Sequence, residues 1–120
     1  MKILVVDDSK VMRSIVRRTL SEAGFADHDI AEADNGRNGL MKVDEYRPDL
    51  VLSDWNMPEM DGLGFLRNLR AKGNGVSFGF VTSEGTPEMR AVAAENGAGF
   101  LITKPFTADT FRDILTPYLR

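Results

Sequence analysis

Five polar side chains stand where the apolar runs of this 120-residue sequence stop. Asp7 and Asp8 follow Ile3 to Val6, Asp54 follows Leu50 to Leu52, Thr82 follows Val76 to Val81, and Lys104 follows Phe100 to Ile102. Each run is short and bounded by turn residues, the pattern of a strand buried on both faces of a sheet. With the strands parallel, all five side chains share one edge, the one at which open α/β sheets bind ligands. Three carboxylates gathered there repel, since two unit charges about 4 Å apart cost roughly 4 kcal/mol at an effective dielectric near 20. A cation must offset that. Oxygen donors without His or Cys suit a hard ion, and an incomplete set with room for water suits Mg²⁺ better than Ca²⁺. Lys104 is a second cation. Neighbouring strands lie about 4.8 Å apart, so the short Thr82 hydroxyl on the adjacent strand and the long Lys104 chain two strands away reach the same point beside Asp54. A carboxylate flanked by a divalent ion, an ammonium and a hydroxyl donor suits a phosphoryl group, with Asp54 as the nucleophile.

The elements that must position these groups alternate along the chain. After the first strand, Val11, Met12, Ile15, Val16, Thr19, Leu20 and Ala23 recur at helical spacing as far as Gly24, with Asp8 and Ser9 in the N-cap region. Asp29 to Ala33 alternates as an edge strand, and Asn35 and Gly36 open a helix expected to bury Leu40, Val43 and Met41 before Pro48. Gly62 starts a helix with Leu63, Phe65, Leu66 and Leu69 inward, stopped by Gly73, Asn74 and Gly75. Thr86 and Pro87 are the N-cap and first residue of a fourth helix with Met89, Val92 and Ala93 inward, ending at Gly97. Thr107 opens the last, with Phe111, Ile114, Leu115 and Tyr118 on one side despite Pro117. Five strands alternating with five helices predict a mainly parallel sheet covered on both faces.

The totals narrow the function. A chain of this length is one domain, residues 1–120, and no linker, repeat or low-complexity tract divides it. No apolar run approaches the roughly 20 residues that span a bilayer, and Asp7 and Asp8 interrupt the only early one, so neither a membrane segment nor a signal peptide is expected. The absence of cysteine removes disulfides and thiolate metal sites and fits a cytoplasmic location. A net charge of -3 argues against nucleic acid as a direct partner. Neither GxxxxGK[ST] nor GxGxxG occurs, so nucleotide binding is not expected. His28, the only histidine, lies in a loop, so a phosphohistidine donor must be another protein.

Taken singly, Asp7 and Asp8 would be capping groups, Thr82 a strand-end hydroxyl and Lys104 a solvated surface charge. Together, the paired aspartates, the run SDWNMPEMDG from Ser53, Thr82 with Ser83, and Lys104 with Pro105 and Phe106 resemble a response-regulator receiver domain over essentially the whole chain. The resemblance implies a flavodoxin-like, doubly wound α/β fold with strand order 2-1-3-4-5, an order taken from that fold class and not from the residues. It implies that Asp54 accepts a phosphoryl group from a histidine kinase. Asp8, Asp54 and the Asn56 main-chain carbonyl would hold Mg²⁺, with Asp7 assisting. Lys104 would pair with the phosphate, Thr82 would move to bond it, and Ser83 and Glu84 would modulate the site. It also implies a Lys104–Pro105 peptide that is commonly cis. Within the family, DWNMP, Glu84 and the KPFT run at Lys104 look most like the stand-alone chemotaxis regulators, which implies a monomer, a downstream protein target such as the flagellar motor switch, and a phosphatase as a further partner.

Two positions depart from the family pattern. Three residues before the lysine, where an aromatic switch usually stands, this chain has Leu101, with Phe100 one place earlier, and a shift of one residue in a strand changes face. Gly79 stands where an aliphatic residue is usual. Three functions follow: a signalling switch, as a chemotaxis regulator or a phosphorelay intermediate; a small Mg²⁺-dependent phosphatase, which would need a general acid and a substrate cap; or a binding module that is never phosphorylated.

Overall fold

The computed structural model describes residues 1–119. Its sheet has five parallel strands in the order β2-β1-β3-β4-β5, the expected one. The strands are β1 (Lys2–Val6), β2 (Asp29–Ala33), β3 (Leu50–Ser53), β4 (Ser77–Thr82) and β5 (Phe100–Thr103). Between and after them run α1 (Lys10–Leu20), α2 (Gly36–Tyr46), α3 (Gly62–Ala71), α4 (Pro87–Glu95) and α5 (Ala108–Leu115). Each of these five α-helices has a side-chain N-cap: Ser9, Asn35, Asp61, Thr86 and Thr107 each accept a backbone N–H three residues on. Such caps are worth about 1 kcal/mol each and set where each loop from the carboxyl edge re-enters a helix.

Alternation along the strands divides the core. Ile3, Val5, Leu50, Leu52, Val81 and Ile102 face α1 and α5, where Val16, Leu20, Phe111 and Leu115 meet them. Leu4, Val6, Val51, Phe78, Phe80 and Leu101 face the other way, against Val43, Phe65, Leu66, Leu69 and Ala93 from α2, α3 and α4. The phenylalanines Phe65, Phe78, Phe80 and Phe111 are fully buried, each contributing roughly 2 to 3 kcal/mol of transfer free energy.

Gly79 and Phe100 explain each other. They are directly paired across β4 and β5, and a Cβ on Gly79 would lie 1.9 Å from Phe100 Cε2. The ring of Phe100 covers the strand where an aliphatic side chain would stand and packs against Tyr118 with centroids 5.2 Å apart.

Three expectations fail locally. Val11 and Met41 are 70% and 58% exposed, because each lies at the margin of its helix's apolar stripe. The last helix stops at Leu115, so Tyr118 follows it in a turn; Thr116 keeps helical backbone angles and donates to Arg112 O, but Pro117 has no N–H with which to continue the ladder. Strand four runs from Ser77 to Thr82 and therefore includes Thr82 as its last residue.

Candidate functional site

The strand ladder continues one residue beyond three strand ends, and this positions the site's main chain. Asp7 N–H donates to Ala33 O at 3.1 Å, Asp54 N–H to Val6 O at 2.8 Å, and Lys104 N–H to Thr82 O at 2.8 Å. Asp7, Asp54 and Lys104 are thus fixed by the neighbouring strand while their side chains leave the sheet. The Lys104–Pro105 peptide is cis. After β3 the chain turns back through Gly62, whose N–H donates to Trp55 O at 2.8 Å. A Cβ on Gly62 would sit 2.1 Å from the Asp54 carbonyl oxygen, so only glycine lets α3 start directly beneath the aspartate.

The side chains converge as the spacing requires. Carboxylate oxygens of Asp7, Asp8 and Asp54 lie within 4.8 Å of one another. Lys104 Nζ donates to Asp7 Oδ2 at 3.2 Å and to Asp54 Oδ2 at 3.4 Å. The ammonium thus answers Asp7 and Asp54, while Asp8 is exposed and outside its reach. The second oxygen of Asp54, Oδ1, accepts the Trp55 N–H at 2.7 Å, and that of Asp7 accepts the Ser9 N–H at 2.9 Å. The Asp54 side chain is 12% exposed, enough to be reached from solvent. Burial pushes the Asp7 carboxyl above its ordinary pKa, and the Asp54 charge adds to this, against the opposing pull of the Ser9 N–H and Lys104. Three clustered carboxylates facing one ammonium form an all-oxygen donor set with surplus negative charge, which fits a hard divalent cation.

Thr82 completes the group from β4. It is fully buried, and its hydroxyl has no hydrogen-bond partner. An orphaned buried hydroxyl costs about 1 to 3 kcal/mol, which an acceptor brought close to it would recover. Ser83 and Glu84 follow it, exposed, in the loop toward α4, and Asn56 is exposed in the loop after Asp54.

The structure separates the two residues named for the switch. Leu101 shares the face of Phe78, Phe80 and Ala93, whereas Phe100 lies on the opposite face of the sheet. Phe100 is therefore not on the side from which Phe78 and Phe80 lead to Thr82, as period-two alternation predicts. Trp55, beside Asp54, stacks on Phe80 with centroids 4.6 Å apart.

Two supports escaped the sequence reading. Arg13 donates to the Asp7 carbonyl oxygen and pairs with Glu32 at 2.8 Å, and Arg17 holds Glu32 from the other side at 3.2 Å. A signal existed, because Arg13 is in helical phase with Val16 and Leu20 and so falls on the inward stripe. Ser53, fully buried, donates its hydroxyl to the Asp54 carbonyl at 2.8 Å.

Residues 3–116 match the family described as response regulator receiver domain. The chain is 39% identical over 117 residues to the chemotaxis protein CheY-3 of Vibrio cholerae, covering 96% of this chain and 88% of that one. It is 36% identical over 115 residues to the chemotaxis protein CheY of Listeria monocytogenes, with 96% and 95% covered. The solved structure of Vibrio cholerae CheY4 superposes with a TM-score of 0.86 at 33% identity over 98% of both chains. The receiver domain of the Francisella response regulator 1452 shares the fold, with a TM-score of 0.87 at 24% identity over 98% of this chain and 95% of that one.

Proposed function

This chain belongs to the response regulator receiver domain family and is a CheY-like receiver of two-component signalling, and on that premise we propose that Asp54 is its phosphoacceptor. The observation that carries the reading is the convergence of Asp54 with Asp7, Asp8 and the Lys104 ammonium at the carboxyl edge, with the unpartnered Thr82 hydroxyl at the end of the adjacent strand.

A carboxylate oxygen of Asp54 attacks the phosphorus of a phosphohistidine on a histidine kinase. The O–P bond forms as the P–N bond breaks, and the departing imidazole takes up a proton. Asp8, Asp54 and the Asn56 carbonyl, with Asp7 assisting, would hold Mg²⁺, whose charge would offset that of the phosphoryl oxygens. Lys104 leaves Asp54 for a phosphoryl oxygen, and Thr82 donates its free hydroxyl to another. Water later attacks the phosphorus, releasing inorganic phosphate and restoring the carboxylate. Ser83 and Glu84 border the path of that water.

Residues 1–120 act as a single receiver domain in the cytoplasm, as a monomer whose output is phosphorylation-dependent binding of a downstream protein. A chemotaxis target such as the flagellar motor switch fits the relatives best, with a phosphatase as a further partner. The output surface lies on α4, β5 and α5 and presents Glu88, Arg90, Glu95, Arg112 and Asp113. Among the described residues no helix is long and apolar enough to cross a membrane. Apart from its own phosphorylation and dephosphorylation the domain catalyses nothing.

Incubation with a small phosphodonor and Mg²⁺, followed by intact mass, tests this. The expected result is one phosphoryl group on the wild type and none on Asp54→Asn. Steady turnover of many substrates would support a phosphatase instead, and no adduct under any condition would support a silent binding module.

A further inference from the structure

Thr82 needs a physical link to the outer surface, and no aromatic side chain supplies it: Leu101 is aliphatic, and Phe100 is committed to the opposite face. Arg90 makes a different connection. From the first turn of α4 it donates Nε to the Gly85 carbonyl at 3.3 Å and Nη1 to the Leu101 carbonyl at 3.1 Å. Gly85 is the third residue past Thr82. It is tightly enclosed, since a Cβ there would lie 2.4 Å from Thr103 Cγ2, 3.1 Å from Arg90 Nη2 and 3.3 Å from Leu101 Cδ2. Arg90 pairs with no carboxylate among the described residues. A cation in a helix's first turn also opposes the helix dipole, so helix electrostatics does not account for its place. Its role is to hold two carbonyls from separate elements. Beside it a groove of about 200 Å³ is lined by Arg90, Ala93 and Ala94 and by the segment from Ala98 through Gly99 and Phe100 to Leu101, so the same guanidinium borders the outer face.

We propose that Arg90 is the positioning residue that couples Thr82 to that face: it straps the loop after β4 onto β5 while Asp54 is unmodified, and it releases when Thr82 turns to a phosphoryl group. The inference rests on the roles given above to Asp54 and Thr82. The Leu101 carbonyl is fixed in β5, whereas the Gly85 carbonyl must follow the loop when Thr82 is drawn toward Asp54. Bonds of 3.1 and 3.3 Å are at the long end of the range, so a small displacement breaks one of them and frees the guanidinium into the groove. Because coupling between two sites is reciprocal, a strap made only in the unmodified arrangement opposes phosphoryl binding, and removing it favours binding.

The test uses beryllofluoride with Mg²⁺ as the phosphoryl mimic, titrated by Trp55 fluorescence into the wild type, Arg90→Ala, Arg90→Lys and Thr82→Ala. Arg90→Ala should bind it on the order of tenfold more tightly than the wild type. Arg90→Lys, which reaches one carbonyl at a time, should shift in the same direction by less, and it carries the test if the alanine variant does not fold. Hydrogen exchange of the Gly85–Arg90 and Phe100–Thr103 amides should quicken when the mimic binds the wild type and be fast already in free Arg90→Ala. Unchanged or weakened binding by both Arg90 variants, while the wild type binds and Thr82→Ala binds weakly, overturns the strap and leaves the phosphoacceptor reading standing. No binding by the wild type overturns both.

Discussion

At the amino end of the sheet, Arg70 in the last turn of α3 donates to three main-chain carbonyls, those of Asn74, Val76 and Gly97, at 2.8 to 3.0 Å. At the carboxyl end, three carboxylates crowd one ammonium and a buried threonine hydroxyl has no partner. The first arrangement ties the loops entering β4 and β5 and complements the negative end of a helix. The second stores unfavourable energy that a cation and a phosphoryl group can release. One hydroxyl at the amino end, that of Tyr46, is also buried, but it faces the Asp29 carboxylate: burial first, then Asp29, pushes its pKa up to about 12. The contrast separates the end that stabilises from the end that responds.

Substitutions can break this contrast in opposite directions. Arg70→Ala strips three carbonyls of a charged donor and should lower unfolding stability by roughly 2 to 4 kcal/mol, read by denaturant midpoint, while leaving phosphorylation of the folded protein intact. A smaller loss than 1 kcal/mol would mean that water replaces the clamp. Thr82→Val, at the responsive end, removes a polar group that has no partner, so the unmodified protein should gain roughly 1 kcal/mol and lose affinity for a phosphoryl mimic. Destabilisation would show that the hydroxyl is satisfied in solution.

Mg²⁺ should raise the thermal midpoint of the wild type, reversibly on chelation, because it binds the folded cluster and not the unfolded chain. The gain should be largely absent in Asp54→Asn. Asp7→Asn carries the smallest effect and a definite pH signature. The Asp7 pKa is raised in the folded protein, so ionising it costs stability; that cost is absent below the ordinary carboxyl pKa and grows as pH rises through the folded value. Metal-free Asp7→Asn should therefore be more stable than the wild type at neutral pH, and the two should converge as pH falls toward the ordinary carboxyl range. A gap that widens in acid would contradict the sign.

The site was legible in the sequence because each of its groups ends a buried apolar run, and parallel strands bring such ends together whatever lies between them. Asp7, Asp54, Thr82 and Lys104 needed no more than that. Strand order was not legible, since periodicity fixes elements and not their neighbours. Nor was the meaning of Gly79, which depends on the Phe100 ring across a register that only pairing reveals. Arg13, Arg70 and Arg90 escaped for another reason: each acts on main-chain carbonyls, which every residue carries and no sequence pattern marks. Val11 and Met41 were assigned inward by spacing alone, and the width of the apolar stripe decided otherwise.

Every role proposed for the carboxyl edge depends on Asp54 being the group that takes the phosphoryl. The most direct test is to phosphorylate the wild type with a small donor and Mg²⁺, reduce the acyl phosphate with borohydride, and locate the modified residue in the digested chain. A single reduced aspartate at Asp54, absent when Mg²⁺ is chelated, is the predicted result. Modification at Asp7 or Asp8, or a phosphoryl group found on the Ser53, Ser83 or Thr82 hydroxyl, would contradict it.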